Sequence, residues 1–275
     1  MGGECSAING SFATTLTSYS PALEPDKPTV PAERLALVIP ALHEAENLGP
    51  LLRRVRQSLG SAGIDWELIV VDDSSHDGTE EIVGAMVRED PRVRLLVRRG
   101  ERGLAGAILH GWRHSGAGIL GVMDADGQHP AGTLPRLLAA IASGCDLAVA
   151  SRYAEGSRRS CAPRRRMMSL VALLAARPLQ PLHTRVRDPL SGFFLVRRHC
   201  VENVSFQTAG FKLLLEVLVR GRIASVQEIP FAFGRRRVGR SKVNLRVAWD
   251  YLALLARLYR ARFSLPRLPH AASGD

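Results

Sequence analysis

The chain has 275 residues and carries 37 lysines and arginines against 26 aspartates and glutamates, which gives a net charge of +11 and a pI of about 10.5. Its apolar content of 46% is typical of a globular protein and argues against a disordered chain. No apolar run approaches the roughly 18 to 20 residues that cross a bilayer, so we expect no membrane-spanning helix. The positive charge favours a phosphate-bearing partner: a nucleotide, nucleic acid or anionic lipid.

The cysteines and the amino-terminal segment indicate the compartment. No two cysteines form a C-x-x-C pair and none has zinc-type spacing to a histidine, so we expect buried, reduced thiols. The cysteines are Cys5, Cys145, Cys161 and Cys200. Residues 1–33 are rich in Ser, Thr, Gly and Pro and lack the pattern of a secretory signal, so we predict a disordered tail. These features favour a cytoplasmic protein, or one bound peripherally to the cytosolic face of a membrane.

From Leu35 onward, short apolar runs alternate with helical patterns. Strands are predicted at Leu35–Ile39, Leu68–Val71, Val93–Val97, Ile119–Met123 and Leu147–Ser151. Helices are predicted between them at Glu46–Leu59, Asp77–Arg88, Ala105–His114 and Leu134–Ser143. Asp77 is the expected N-cap of the second helix. The alternation predicts βαβ units and therefore an α/β fold, with a Rossmann-like, mainly parallel sheet flanked by helices.

The alternation changes after Ser151. The elements expected there are a basic stretch at Arg158–Arg166, a helix at Met167–Ala176, strands at Phe193–Val196 and Val226–Phe231 around a helix at Phe211–Val219, a basic loop at Gly234–Lys242 and a helix at Val243–Arg262. The last helix is amphipathic, and its apolar face carries Val247, Tyr251, Leu254, Leu255 and Leu258. Basic residues beside an apolar face are typical of a membrane-surface helix. We therefore predict a tail over 1–33, one α/β domain over 34–242, and an interfacial amphipathic helix with a tail over 243–275.

Two carboxylates follow the fourth predicted strand. In Asp124-Ala125-Asp126 the aspartates stand at i and i+2 of an extended segment, so both point the same way at the carboxyl end of a strand, where open α/β sheets bind ligands. They would repel each other unless a cation or a proton intervened. Hard oxygen ligands suit Mg²⁺ or Mn²⁺, which can also hold substrate phosphates. The alternative is that the aspartates only cap the following turn.

Other charged residues end neighbouring strands. Asp72 and Asp73 follow the second strand and Glu44 follows the first, so carboxylates from three strands are expected at one edge. They can accept hydrogen bonds from a base or a ribose, or they can form ordinary turns. Two arginine-rich stretches, at 152–166 and 235–242, fit a solvated face, a nucleic-acid patch or a phosphate clamp. Gly116–Gly121 reads G-x-G-x-x-G but precedes a strand, so we treat that match as chance.

Ordered sequence blocks give the chain a family resemblance. The blocks are Val38-Ile39-Pro40 with Glu44–Leu48, Val70–Thr79, Met123–Pro130, Ser151-Arg152-Tyr153, Asp188–Phe194, Gly210-Phe211-Lys212 and Gly239–Lys242. From about Leu35 to Leu258 the chain resembles the inverting glycosyltransferases of family 2, and most of all the dolichyl- and polyprenyl-phosphate mannose synthases. The resemblance implies a GT-A fold, a nucleotide-sugar donor (usually GDP-mannose), a membrane-embedded polyprenyl phosphate acceptor, and Mg²⁺ or Mn²⁺.

The resemblance also implies roles for individual residues. The implied donor-binding residues are Pro40, Leu42, Glu44, Val71, Asp73, Asp124, Ala125, Asp126, Gln128, Arg152, Arg236 and Lys242. Among these, the implied metal ligands are Asp124, Asp126 and Gln128. The implied catalytic residues are Asp126, Arg152, Arg236 and Lys242. The implied acceptor-phosphate-binding residues are Arg165 and Ser191.

The sequence departs from the family pattern at three positions in two motifs, and three alternative functions remain open. Leu42-His43 stands where the family usually has an aromatic residue and Asn, which removes a stacking surface for the base, and Arg240 replaces a usual Glu. The alternatives are a prenyl-phosphate glycosyltransferase that uses UDP-glucose or another UDP-sugar, a nucleotidyltransferase, and a basic nucleic-acid-binding protein. The last would leave the Asp-Ala-Asp strand end unexplained. We expect an anionic membrane surface as a partner and no nucleic acid. A membrane-anchoring subunit is a further possible partner.

Overall fold

The structure is a computed structural model that describes residues 33–100, 102–154, 172–206, 212–232, 234 and 245–263, with the side chains of the last range described over 249–260. Contacts divide the chain into Met1–Pro31 and a second compact unit, Ala32–Asp275. All described residues belong to the second unit. Most of the tail expected over 1–33 lies outside them, and its last residue, Glu33, forms an ion pair with Arg197.

Thirteen regular helices and strands make up the described fold. The strands are β1 (Leu35–Ala41), β2 (Trp66–Asp72), β3 (Val93–Val97), β4 (Ile119–Met123), β5 (Leu147–Ser151), β6 (Phe193–Arg197) and β7 (Val226–Pro230). The helices are α1 (Ala45–Gly60), α2 (Thr79–Glu89), α3 (Leu104–Arg113), α4 (Leu134–Ala142), α5 (Leu213–Arg220) and α6 (Leu245–Phe263). Short 3-10 turns occur at Ala131–Thr133, Arg177–Leu179, Leu182–Thr184 and Arg198–Cys200.

The strands form one seven-stranded sheet in the order β3-β2-β1-β4-β6-β5-β7. The pairs β3–β2, β2–β1, β1–β4 and β5–β7 are parallel, while β6 runs antiparallel to both of its neighbours, β4 and β5. The carboxyl ends of β1, β2, β4 and β5 therefore share one edge with the amino end of β6. This confirms the predicted α/β fold with a mainly parallel sheet.

Both faces of the sheet are covered, which explains why its central strands are largely apolar. All residues of β1 and β2 are buried, as expected where helices lie on both faces of a parallel sheet. Alternate β1 side chains belong to different cores: Leu37 packs with α1, α2 and α4, while Val38 packs with α3 and α5. The strand pattern thus places one helix layer on each side and leaves the strand ends for loops.

The G-x-G-x-x-G match has a packing role. Its last residue, Gly121, lies inside β4, and a Cβ added there would come within 2.8 Å of Leu195 and 2.9 Å of Leu37. Such contacts are too short for carbon atoms, so the strand needs a glycine at this crossing. The match opens no helix, in agreement with its treatment as chance.

The carboxyl-terminal helix departs from expectation in what it contacts. Leu254, Leu255 and Leu258 are buried in a third core that also includes Leu179 and Leu215. Two tyrosines fix the packing, because the hydroxyl of Tyr251 donates to the carbonyl of Ala172 (2.6 Å) and that of Tyr259 to the carbonyl of Ala175 (3.0 Å).

The face predicted to meet a membrane is therefore occupied by the protein itself, and that part of the prediction is wrong. An amphipathic pattern indicates that one face of a helix is covered, but it does not distinguish a membrane from the rest of the protein as the covering surface. The side chain of Val247 lies outside the described residues. On the outward side, Trp249 is 72% exposed and Leu252 is 57% exposed. Among the described residues, no helix combines the length and apolar character needed to cross a bilayer.

Candidate active site

The paired aspartates lie at the carboxyl end of β4, where the sequence placed them. Met123 pairs with Phe193 of β6, so the next residue, Asp124, faces Gly192. A Cβ on Gly192 would come within 2.6 Å of the Asp124 Cγ atom. Only a glycine lets the carboxylate approach the neighbouring backbone this closely. Asp126 accepts a hydrogen bond from the backbone N–H of Gln128 (3.0 Å), which fixes the turn after the strand.

Burial and neighbouring charges of both signs act on the Asp124 carboxylate. Burial is the main cause that raises its pKa, and the charge of Asp126 adds to it, while His129, Lys212 and Arg152 act in the opposite direction. The Nδ1 atom of His129 lies 3.9 Å from the Asp124 Oδ2 atom. A divalent cation between the two aspartates would relieve their repulsion.

The residues present fit such a cation. The donor set offered by Asp124, Asp126 and the Gln128 side chain is made entirely of oxygen, which suits Mg²⁺ and Mn²⁺. The Gln128 amide nitrogen donates to the carbonyl of Gly234 (3.1 Å), and the N–H of Gly234 donates back to the Gln128 carbonyl (2.9 Å). These two bonds hold the chain after β7 against the aspartate turn.

His129 anchors this turn in the core. Its ring is 5% exposed and lies between Phe193 (5.3 Å between ring centroids) and Phe231 (5.6 Å). Burial lowers its pKa, although the charges of Asp124 and Asp126 raise it. The sequence analysis gave this histidine no role, even though it stands inside the Asp-Gly-Gln-His-Pro block.

At the end of β2, Asp73 is already fully engaged. Its carboxylate accepts two hydrogen bonds from the Arg98 guanidinium (2.7 and 2.9 Å) and one from the N–H of Gly103 (2.9 Å). Both members of the pair have side chains only 4% exposed. Arg98, which the sequence analysis did not single out, thus fixes Asp73 beside the expected nucleoside position. Any contact of Asp73 with a nucleoside would use a carboxylate already held by this arginine.

The other implied nucleoside residues lie at the ends of β1 and β2. Pro40 pairs with Val71 in the sheet register, and the Val71 side chain is fully buried in the core. Leu42 and Glu44 are half-buried in the β1–α1 turn. Glu44 accepts a hydrogen bond from the Asn47 side chain (2.7 Å). Leu42 and Glu44 therefore offer side chains at this edge, whereas Val71 is a core residue.

Asp77 joins the two turns that follow β1 and β2. The N-cap of α2 is Gly78, with a φ of 93°, so the prediction of Asp77 as the N-cap is wrong by one residue. Asp77 still accepts hydrogen bonds from the N–H and the hydroxyl of Thr79 in the first turn of α2 (3.2 and 2.7 Å), and it also accepts one from the N–H of Ala45 in α1 (3.1 Å). The sequence could not distinguish a cap from a bridge, because the second donor comes from 32 residues away.

Arg152 is held rigidly at the end of β5. Its guanidinium donates two hydrogen bonds to Asp188 (2.8 and 2.7 Å), and the backbone N–H of Arg152 donates a third to the same carboxylate (3.0 Å). Burial alone would lower the pKa of Arg152, but the bonds to Asp188 outweigh burial and raise it. Asp188 itself is fully buried. Arg152 therefore carries a permanent positive charge beside the aspartate edge.

Lys212 brings a second cation to this edge, and the sequence analysis assigned it no role. Its ammonium donates to the carbonyl of Leu190 (3.2 Å). Burial lowers the pKa of Lys212, while the charge of Asp124 raises it. The Gly-Phe-Lys block was the available signal, but only the fold brings Lys212 near Asp124.

Ser191 is placed inside the protein. It is 6% exposed, and its hydroxyl donates to the carbonyl of Ala150 (2.7 Å) and accepts from the N–H of Phe193 (3.2 Å). It shapes the turn that carries Gly192. Arg165, Arg236 and Lys242 lie outside the described residues.

This fold and edge define a class of enzyme. Residues 36–215 match the profile of glycosyl transferase family 2, and the chain belongs to that family. It is therefore a glycosyltransferase, as the sequence blocks indicated.

Similarity to three named proteins shows which members of the family the chain resembles. The chain is 36% identical over 236 residues to the dolichol-phosphate mannosyltransferase of Pyrococcus furiosus, covering 86% of this chain and 66% of that protein. It is also 36% identical over 244 residues to the dolichol-phosphate mannosyltransferase of Saccharomyces cerevisiae (85% and 90% covered). It is 34% identical over 248 residues to the polyprenol monophosphomannose synthase of Mycolicibacterium smegmatis (84% and 91% covered). The resemblance to this group of enzymes is thus confirmed.

Solved structures confirm the GT-A-like fold. Glucosyl-3-phosphoglycerate synthase from Mycobacterium tuberculosis, in complex with Mn²⁺ and UDP, superposes with a TM-score of 0.61 at 20% identity, covering 86% of this chain and 81% of that one. At this identity the likeness concerns the fold alone. A second structure, of a mycobacterial protein, has the same TM-score, and the match covers 76% of that protein's chain.

Proposed function

We propose that the protein transfers mannose from GDP-mannose to a polyprenyl-type lipid phosphate with inversion, giving a β-linked polyprenyl phosphate mannose. The observation that carries the proposal is the all-oxygen donor set of Asp124, Asp126 and Gln128 at the carboxyl end of β4. It fits a cation that holds a donor diphosphate. The names of the relatives, two dolichol-phosphate mannosyltransferases and a polyprenol monophosphomannose synthase, support the acceptor and the sugar.

The acceptor needs little activation. A phosphate monoester has a second pKa near 6, so at pH 7 it is mostly a dianion and can attack the sugar without a general base. One acceptor oxygen forms a bond to the anomeric carbon as the bond from that carbon to the donor diphosphate breaks, and GDP leaves with the electron pair. A single displacement of this kind inverts the anomeric centre.

The contribution of the protein is then to position the two substrates and to offset the negative charge of their phosphates. Asp124, Asp126 and Gln128 would hold the Mg²⁺ or Mn²⁺, which when bound offsets the charge of the departing diphosphate. Arg152, fixed by Asp188, adds positive charge near Asp124. Arg165, Arg236 and Lys242 remain the proposed phosphate ligands from the basic segments. Ser191 would act on the acceptor phosphate indirectly, by setting the turn before β6.

The first experiment is a transfer assay with purified protein, a polyprenyl phosphate and either GDP-mannose or UDP-glucose, with Mg²⁺ or Mn²⁺ present. We expect transfer from GDP-mannose that is lost on chelation and restored by either metal. Anomeric analysis of the product by NMR tests inversion. Transfer from UDP-glucose alone would overturn the donor and would implicate the half-buried Leu42, which stands where the family usually has an aromatic residue.

We also propose that the protein binds peripherally to the cytosolic face of a membrane. The contact is assigned to the outward face of α6, where Trp249 and Leu252 lie one helical turn apart and are mostly exposed. The net charge of +11 favours anionic lipid. In flotation with anionic liposomes, we expect Trp249→Ser to reduce the bound fraction without lowering the Tm. Equal binding by the variant and the wild type would contradict this placement.

A further inference from the structure

A second group of ligating side chains lies at the opposite edge of the sheet from the aspartates. Asp146 immediately precedes β5, and His199 and Cys200 belong to the 3-10 turn that follows β6. Because β6 is antiparallel to β4 and β5, its carboxyl end lies beside the amino end of β5. One strand length, about 15 Å, therefore separates this group from Asp124.

The spacing of the three side chains suits a metal ion. One ligand atom from each of Asp146, His199 and Cys200 lies within 4.8 Å of the others. The Nε2 atom of His199 is 3.9 Å from the Oδ1 atom of Asp146. Ligand atoms around a tetrahedral Zn²⁺ are about 3.3 to 3.7 Å apart, given its bond lengths. The His199 side chain is 64% exposed, so a small rotation can close the remaining gap.

The carboxylate of the group is oriented by neighbouring backbone. The Asp146 Oδ2 atom accepts hydrogen bonds from the N–H groups of Ala224 (2.8 Å) and Ser225 (3.0 Å), while its Oδ1 atom is the one nearest His199. Hydrogen bonds from neighbouring groups to a ligating carboxylate commonly orient it toward the metal. The positive charge of nearby Arg197 is balanced by its ion pair with Glu33.

The thiol is buried and in contact with the carboxylate. Cys200 is 1% exposed and donates a hydrogen bond to Asp146. Burial first, and the Asp146 charge second, raise the pKa of Cys200 to about 11. The thiol thus keeps its proton until a cation displaces it.

We propose that Asp146, His199 and Cys200 form a binding site for a transition-metal dication of the Zn²⁺ type, separate from the cation site at Asp124. On binding, the thiol proton passes to solvent, the thiolate sulfur bonds the metal, and a water molecule completes a four-coordinate shell. Thiolate and imidazole ligands select such ions over Mg²⁺. The site would tie the start of β5 to the end of β6 and so stabilise this edge. The proposal does not depend on the proposed function.

Cobalt provides a direct test, because a cobalt–thiolate bond gives a charge-transfer absorption that carboxylate ligands cannot give. The full-length chain, stripped of metal with a chelator, is titrated with Co²⁺. We expect the band to saturate at one equivalent, to disappear on addition of Zn²⁺ and to resist Mg²⁺. Cys200→Ser should abolish it. Cys145→Ser is the matched control, since Cys145 is also buried but packs on the other face of the sheet, and it should keep the band.

Two further variants keep the test decisive if Cys200→Ser folds poorly. His199→Ala changes an exposed ring, so it should fold normally, yet bind Zn²⁺ at least about tenfold more weakly and lose the rise in Tm that Zn²⁺ gives the wild type. Asp124→Asn should leave the cobalt band intact. The proposal is overturned if the wild type shows no cobalt band, or if the band persists in Cys200→Ser. It is also overturned if His199→Ala binds Zn²⁺ as tightly as the wild type, or if the cobalt band is lost in Asp124→Asn.

Discussion

Asp73 and Asp124 lie at the same edge of the sheet, but their surroundings differ. Asp73 is 4% exposed and receives three hydrogen bonds, two of them from a buried arginine. The Asp124 side chain is 34% exposed, faces a second carboxylate and has a raised pKa. The protein thus completes one carboxylate internally, and we propose that an external cation balances the other. On that proposal, Asp73 is a positioning group and Asp124 a ligand-binding group, although both are aspartates.

Removing one aspartate of the Asp124–Asp126 pair is expected to have the largest effect. Asp126→Ala takes away a ligand of the proposed cation, so transfer should fall by at least about 10³-fold. Because the change removes one of two carboxylates that repel each other, we expect the Tm to stay close to that of the wild type. Activity is followed in the transfer assay and folding by circular dichroism. Full activity in this variant would remove the metal assignment.

Breaking the internally completed pair should act on stability instead. Arg98→Met leaves the Asp73 carboxylate buried without its arginine, which is expected to lower the free energy of unfolding by about 3–5 kcal/mol. Urea denaturation measures this loss. The double variant Asp73→Asn/Arg98→Met should recover part of it, because no charge then remains buried. A single variant as stable as the wild type would show that Asp73 is balanced by other groups.

Displacing Asp124 without changing its charge is a finer test. In Gly192→Ala the added methyl group would collide with the Asp124 carboxylate, so the carboxylate must move. A displacement of about 1 Å in a catalytic group can cost about 10²-fold in rate. The matched control is Gly132→Ala, where the added Cβ meets no atom within 4 Å. Equal losses in the two variants would mean that the effect is not specific to Asp124.

Asp77 gives the smallest and most pH-dependent effect. Burial alone would raise its pKa, but hydrogen bonds from Thr79 and Ala45 outweigh burial and lower it. A lowered folded-state pKa stabilises the protein above the unfolded-state value near 4, and this contribution is lost as the pH falls through the folded-state value. Asp77→Asn keeps an acceptor oxygen but removes the charge, so it should cost less than about 1 kcal/mol at pH 7. The difference from the wild type should shrink below pH 4, and a constant difference across urea titrations at several pH values would contradict this.

Local patterns were enough to place most elements and the paired aspartates. The central strands are largely apolar runs because both sheet faces are covered, and runs of this kind are visible in the sequence. Asp124 and Asp126 could be found because they directly follow such a run. The sheet order and the antiparallel direction of β6 depend on long-range pairing, so the chain pattern alone did not supply them.

The residues that sequence reasoning missed come from distant positions. Arg98 reaches Asp73 from the next strand, Lys212 reaches Asp124 from the start of α5, and Gly192 matters only because it lies opposite that carboxylate. His199 and Cys200 have no zinc-type spacing in the sequence, and only the return of β6 along β5 brings them to Asp146. Likewise, the apolar face of α6 was visible, but its covering by residues near 172–179 was not.

The antiparallel strand β6 has a consequence for how the molecule opens. Its residues Phe193–Val196 are at most 1% exposed, and it is hydrogen-bonded on both sides, to β4 and to β5. Its amide protons can reach water only when the sheet itself separates. In hydrogen–deuterium exchange, β6 should therefore be the slowest segment and should report the global free energy of unfolding. Since β6 begins beside Asp124 and ends beside His199, events at either edge that stabilise the fold will be recorded in the same set of amides.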